Sequence, residues 1–203
     1  MNALVIIDVQ NDFMPGGALA VPNGDEIVPI INDLQAKFEL VIATQDWHPA
    51  GHASFASSHE NVKEFEVMKL DGLDQVLWPE HCIQNSEGAK FHSDLKSSNI
   101  ETIFRKGTDI KIDSYSGFYD NAHLKSTGLT GYLKEKKVEN LYFVGLAAEY
   151  CVYFSIKDAI SEGFNCILLE DATRALNQSD FENARIDILR KGGKIIKSGD
   201  LDF

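Results

Sequence analysis

The chain has 203 residues, 44% of them hydrophobic, enough for one sizeable core and read as a single domain over 1–203. A formal net charge of −12 repels phosphate backbones and anionic lipid, so neither nucleic acid nor a membrane surface is expected as a partner. Three cysteines, an odd number in a chain this long, argue against a disulfide scaffold.

The opening run Ala3-Leu4-Val5-Ile6-Ile7 meets Asp8 at once. It is too short for a signal-peptide core and has no basic flank. No stretch approaches the roughly 18 apolar residues of a membrane span, so a cytoplasmic globule is expected. The first strand is placed at 3–9. Gln10-Asn11-Asp12-Phe13-Met14-Pro15-Gly16-Gly17 follows without a G-x-G-x-x-G pattern, which argues against a dinucleotide cradle. Ile27, Ile31, Leu34 and Phe38 then share one helical face, with Pro29 blurring where that helix begins. Further strands are expected at 40–44, 102–105, 141–145, 166–170 and 194–197. Residues 45–92 are rich in His, Ser and Gly and weakly periodic, as suits a functional loop excursion. Lys134, Lys136 and Lys137 mark the end of a helix after Ser126. Val152, Ile156, Ala159 and Ile160 recur at helical spacing after Cys151. Ser179 and Glu182 have capping-box spacing ahead of a helix with Phe181, Ala184 and Ile188 inward. This alternation predicts a three-layer α/β fold, Rossmann-like in outline, with a parallel sheet between helices.

Three predicted strand ends carry reactive groups: Asp8, Lys106 and Cys151. Singly, each has an ordinary reading: a capping carboxylate, a surface lysine, a small core residue. In a parallel sheet those ends share one edge, where α/β active sites collect, so the three can converge. A thiol of pKa near 8.5 gives its proton poorly to a carboxylate near 3.9. A lysine cation and a helix N-terminus lower the thiol pKa, and partial burial raises that of the acid. As a unit, Asp8 is the general base, Lys106 the electrostatic partner and Cys151 the nucleophile.

A second constellation is Asp46-Trp47-His48-Pro49-Ala50-Gly51-His52. Residues two apart in an extended segment face the same side, so Asp46 and His48 can reach one ion, and His81 can complete the set. Carboxylate and imidazole ligands with open positions suit one divalent ion: zinc first, with iron(II) or manganese also compatible. His52 ligates directly or holds a metal-bound water. His59, His92 and His123 read as bystanders, and Cys82 as packing. Phe13 and Trp78 stand beside these residues in loops and suit the walls of a pocket for a small flat ligand.

Asp8-Val9-Gln10-Asn11-Asp12-Phe13, Gln45-Asp46-Trp47-His48, Trp78-Pro79-Glu80-His81-Cys82, Lys106-Gly107, Asp113-Ser114-Tyr115-Ser116-Gly117-Phe118 and the run Gly145–Val152 occur in order over nearly the whole chain. Together they resemble the nicotinamidase/pyrazinamidase group of the isochorismatase-like hydrolases. The resemblance implies a six-stranded parallel sheet and hydrolysis of nicotinamide to nicotinate and ammonia in NAD salvage, with pyrazinamide as a second substrate. It assigns catalysis to Asp8, Lys106 and Cys151, the metal to Asp46, His48 and His81, and substrate contact to Phe13, Trp78 and Tyr115. It also implies a cis peptide at Leu146-Ala147, with the N–H groups of Ala147 and Cys151 aimed at an oxyanion. Relatives occur in more than one assembly state, which leaves a homo-oligomer open. Relatives commonly have Thr and Asp where this chain has Ala148 and Glu149, so local hydrogen bonding at the nucleophile turn is expected to differ. Two rival readings are another amidase of the superfamily, acting on N-carbamoyl or aliphatic amides, and a non-catalytic metal-binding α/β protein.

Overall fold

The computed structural model describes residues 1–202. In chain order the strands are β1 (Asn2–Ile7), β2 (Leu40–Asp46), β3 (Val67–Leu70), β4 (Leu73–Val76), β5 (Thr102–Lys106), β6 (Asn140–Gly145), β7 (Asn165–Thr173) and β8 (Lys194–Ile196). The helices are α1 (Ile27–Gln35), α2 (Leu129–Glu135), α3 (Tyr153–Ser161) and α4 (Gln178–Arg190). Six strands form one sheet in the order β5-β2-β1-β6-β7-β8, every neighbouring pair parallel. β1 is central because both of its faces are apolar. Leu4 and Ile6 enter the core beneath α1, while Ala3, Val5 and Ile7 enter the core shared with α2, α3 and α4. The expected α/β architecture is thus observed. Among the described residues no helix is long and apolar enough to cross a membrane.

Connections run from β1 outward to β2 and β5, then return across to β6, β7 and β8. The strand order therefore reverses between β1 and β6. The crevice beyond the carboxyl ends at such a reversal is the usual place for a site. Asp8 follows β1, Asp46 and Lys106 end β2 and β5, and Cys151 follows β6.

Several boundaries differ from expectation. β1 stops at Ile7 rather than at residue 9, because Asp8 takes a left-handed φ of +47°. β2 and β5 run on to include Asp46 and Lys106, making these strand residues. β7 extends to Thr173, beyond the expected 170, and β8 ends at Ile196. α1 ends at Gln35, leaving Phe38 buried beyond it, and Pro29 sits in the first turn, where its missing N–H costs nothing. The capping box at Ser179 and Glu182 is not formed. Asn177 is the cap, accepting from the N–H groups of Ser179 and Asp180, and Glu182 pairs with Arg185. The excursion at 45–92 contains a hairpin, β3–β4. Its tip, Asp71-Gly72, has φ of +48° and +88°, the two positive values that a tight two-residue hairpin turn needs.

Candidate active site

Asp8, Lys106 and Cys151 meet in the buried crevice. Lys106 Nζ lies 2.9 Å from Asp8 Oδ2, 3.0 Å from Asp46 Oδ1 and 3.3 Å from Cys151 Sγ, and donates to the Ser114 carbonyl at 2.9 Å. Thr44 Oγ1 donates to Asp8 Oδ1 at 2.7 Å. The Asp8 carboxylate also stands beside the Cys151 thiol. Burial opposes the Lys106 charge, but Asp46 and Asp8 hold the ammonium well above its usual range. Burial likewise pushes the Asp8 carboxyl up, against the pull of Lys106.

The thiol corrects one expectation. Burial drives Cys151 well above the usual thiol range, and the two carboxylates add to it against Lys106. As expected, Cys151 stands at the start of a helical segment: a five-residue π-helical stretch, Ala148–Val152, runs directly into α3. Burial thus favours the protonated thiol, with Asp8 beside it as the base.

Asp46, His48 and His81 place one ligand atom each within 4.8 Å of one another. His48 Nε2 is 3.1 Å and His81 Nε2 3.5 Å from Asp46 Oδ2. The two imidazoles are oriented from behind: His48 Nδ1 lies 3.0 Å from the Gly107 carbonyl and His81 Nδ1 2.8 Å from that of Pro79. Each ring can therefore donate through Nδ1 and offer the Nε2 lone pair to an ion. His48 Nε2 is buried without a hydrogen-bond partner. The set thus fits a divalent cation. Burial works against the Asp46 charge, yet His48 and Lys106 hold this carboxyl well below its usual range. A second grouping, His48, His52 and Asp113, shares His48 and so describes the edge of the same centre. His52 Nδ1 accepts from the Ser54 N–H at 3.1 Å, which puts the proton of the neutral ring on Nε2. Burial and the neighbouring His48 keep that ring neutral.

Phe13, Trp78, Tyr115 and Ala147 line a small pocket that also exposes Asp46, His81 and Cys151. Trp78 stands edge-on to Tyr150 and Tyr115, with centroids 4.9 and 6.2 Å apart. The Leu146–Ala147 peptide is cis. Leu146 is buried in the core, whereas Ala147 faces the pocket. Ala148 and Glu149 tie the nucleophile turn to the loop after β7: Ala148 N–H donates to the Arg174 carbonyl at 2.8 Å, and Glu149 Oε1 accepts from Asn177 N–H at 2.6 Å. His59, His92 and His123 lie outside the metal group, and Cys82 is packed in the core.

Sequence reasoning missed Thr44, Gln75 and Asp113. Asp113 lines the pocket, with Oδ1 4.0 Å from His48 Nε2. Gln75 reaches Asp113 from the hairpin. Asp113 opens the run Asp113–Phe118 that carries part of the family resemblance, and Thr44 ends an expected strand, two usable signals. Gln75 gave none.

A parallel sheet whose strand ends gather a carboxylate, a lysine and a thiol beside a carboxylate–imidazole group defines a hydrolase class. The profile of the isochorismatase domain matches residues 2–200, and the chain belongs to that family. It is 46% identical over 180 residues to a nicotinamidase of Escherichia coli (strain K12), covering 87% of this chain and 84% of that protein. The structure of an Acinetobacter baumanii nicotinamidase/pyrazinamidase superposes with TM-score 0.97 at 46% identity, covering 99% of this chain and 98% of the other. A Pyrococcus horikoshii pyrazinamidase solved in complex with zinc superposes with TM-score 0.81 at 36% identity, covering 97% and 98%. Within the family the chain falls in the nicotinamidase/pyrazinamidase group, an amide-cleaving hydrolase of small molecules.

Proposed function

We propose that the enzyme hydrolyses nicotinamide to nicotinate and ammonia, and pyrazinamide by the same route, through a thioester on Cys151. The observation that carries this reading is the single ammonium of Lys106, in contact with Asp8, Asp46 and Cys151 at once. It couples the thiol–carboxylate pair to the metal group in a pocket with aromatic walls.

Asp46, His48 and His81 would hold one divalent ion, zinc by donor set and as in the archaeal relative. Such an ion supplies a Lewis-acid anchor for a ring nitrogen. His52, protonated at Nε2, acts on a water at its edge rather than as a ligand. Phe13, Trp78 and Tyr115 enclose the ring and leave the carboxamide carbon over Cys151. Asp8 takes the thiol proton as sulfur attacks, so that no free thiolate has to be stored beside two carboxylates. The N–H groups of Ala147 and Cys151 stabilise the oxyanion. Asp8 returns its proton to the departing nitrogen, and ammonia leaves as the C–N bond breaks. Water then gives a proton to Asp8 and attacks the thioester carbon. The C–S bond breaks, releasing nicotinate, and the proton returns to sulfur.

Ammonia release from nicotinamide, with N-carbamoyl and aliphatic amides as comparators, is the direct test. Cys151→Ala is expected to lower kcat by about 10⁴-fold or more while the fold is kept. Near-native turnover in that variant, or faster release from the comparators, would end the proposal.

A further inference from the structure

Of the eight strand residues in the hairpin β3–β4, Gln75 alone is buried. A polar side chain in that setting has to be held by partners. Its Nε2 lies 2.8 Å from the Val76 carbonyl, 3.0 Å from Asp113 Oδ2 and 2.9 Å from the Tyr115 hydroxyl. Its Oε1 faces Asn121 Nδ2 at 3.4 Å, and Asn121 Oδ1 in turn accepts from the Tyr115 N–H at 2.9 Å. The amide nitrogen is the only atom of this side chain that can serve a carboxylate and a carbonyl together, so its orientation is fixed.

Asp113 and Tyr115 both line the substrate pocket, whereas Gln75 does not. We infer that Gln75 is a positioning residue for the amidase reaction, reaching from the hairpin to fix the Asp113 carboxylate and the Tyr115 hydroxyl at the pocket wall. The Gln75 amide has two protons for three acceptors, so the Tyr115 oxygen shares that donor with the Val76 carbonyl and Asp113. A hydroxyl that accepts from an amide keeps its own proton to donate, and Tyr115 lines the pocket. The hairpin thereby decides how tightly a ring is gripped, while the sulfur and its base lie across the pocket on sheet ends.

The test rests on the nicotinamide reading, and the two fail differently: absence of nicotinamide turnover in the unmodified protein ends that reading, while normal turnover insensitive to Gln75 ends this one. Gln75→Met keeps the volume and removes the donor. It is expected to raise KM for nicotinamide about tenfold with kcat within about twofold, the scale of one lost hydrogen bond to a charged group. Gln75→Glu keeps the shape and the acceptor toward Asn121, yet also loses the donor, and should raise KM likewise if the first variant folds poorly. Combining Tyr115→Phe with Gln75→Met should raise KM by clearly less than the product of the two single effects, because both act in part through one hydroxyl. Unchanged KM in both Gln75 variants, or effects of Gln75 and Tyr115 that multiply independently, would overturn the inference and leave Gln75 a hairpin anchor.

Discussion

The two sides of the pocket are built differently. On one side Asp8, Asp46, Lys106 and Cys151 stand at or just past the ends of four parallel strands, and Asp46 and Lys106 are direct partners in the β2–β5 ladder. Backbone hydrogen bonds set their spacing, and each is at most 7% exposed. On the other side Trp78, Asp113 and Tyr115 come from the 45–92 excursion and the 107–124 segment. Isolated bridges such as Phe55–Trp78 and His48–Ile83, together with side-chain bonds such as those of Gln75, hold them. Bond-making chemistry rests on the stiffer frame, and ring recognition on the more adjustable one. A displacement tolerable for gripping a ring is too large for aligning a thiol with a carbonyl carbon.

The largest expected effect lies on the sheet side. Lys106 is fully buried and neutralises two buried carboxylates. Lys106→Met keeps the apolar stem and strands Asp8 and Asp46 beside each other. Removing one partner of such a group costs about 3–5 kcal/mol. Urea unfolding should show that loss, with nicotinamide turnover abolished at temperatures where the variant still folds. A loss below about 1 kcal/mol would mean the lysine behaves as a surface ion pair, and the contrast between the two sides would fall.

Next comes the seam between the sides. Gly107 has φ of +64°, and a Cβ there would stand 2.4 Å from His48 Cε1, 2.7 Å from its Nδ1 and 2.9 Å from Asp46 Oδ1. Gly107→Ala must therefore displace two proposed ligands at once and disturb the carbonyl that orients His48. Zinc affinity, measured by competition with a chromogenic chelator, is expected to fall about 10–100-fold. An unaltered affinity would remove His48 and Asp46 from the metal site.

The same contrast governs how much of the molecule could be read from its sequence. All six sheet strands were legible: the four inner ones are continuous apolar runs buried on both faces, and the half-exposed edge strands β5 and β8 are short apolar runs bounded by punctuation. Asp8, Lys106 and Cys151 followed, since the first two interrupt or end such a run and the third opens the helix after one. The excursion was less readable. Asp71-Gly72 is a hairpin signal, but the flanking Val67-Met68-Lys69-Leu70 and Leu73-Asp74-Gln75-Val76 carry no buried apolar face to give it weight. Gln75 matters through partners 38 and 40 residues away, a long-range arrangement that no local pattern encodes. The thiol was misjudged for a related reason. Proximity to a cation was visible in the sequence, but the depth of burial that outweighs it was not.

The smallest effect belongs to the outer face of the hairpin. Lys69 and Asp74 are directly opposite in the β3–β4 ladder, with Nζ 2.9 Å from Oδ1 and side chains 71% and 70% exposed. Water screens such a pair, and ordering two mobile side chains offsets most of its attraction. Lys69→Ala is expected to change stability by no more than about 0.5 kcal/mol and to leave KM for nicotinamide unchanged. A severalfold rise in KM would locate the grip in the hairpin's overall placement rather than in the amide of Gln75. Paired with the tenfold effect expected for Gln75→Met, a silent Lys69→Ala would confine the hairpin's contribution to its one buried side chain.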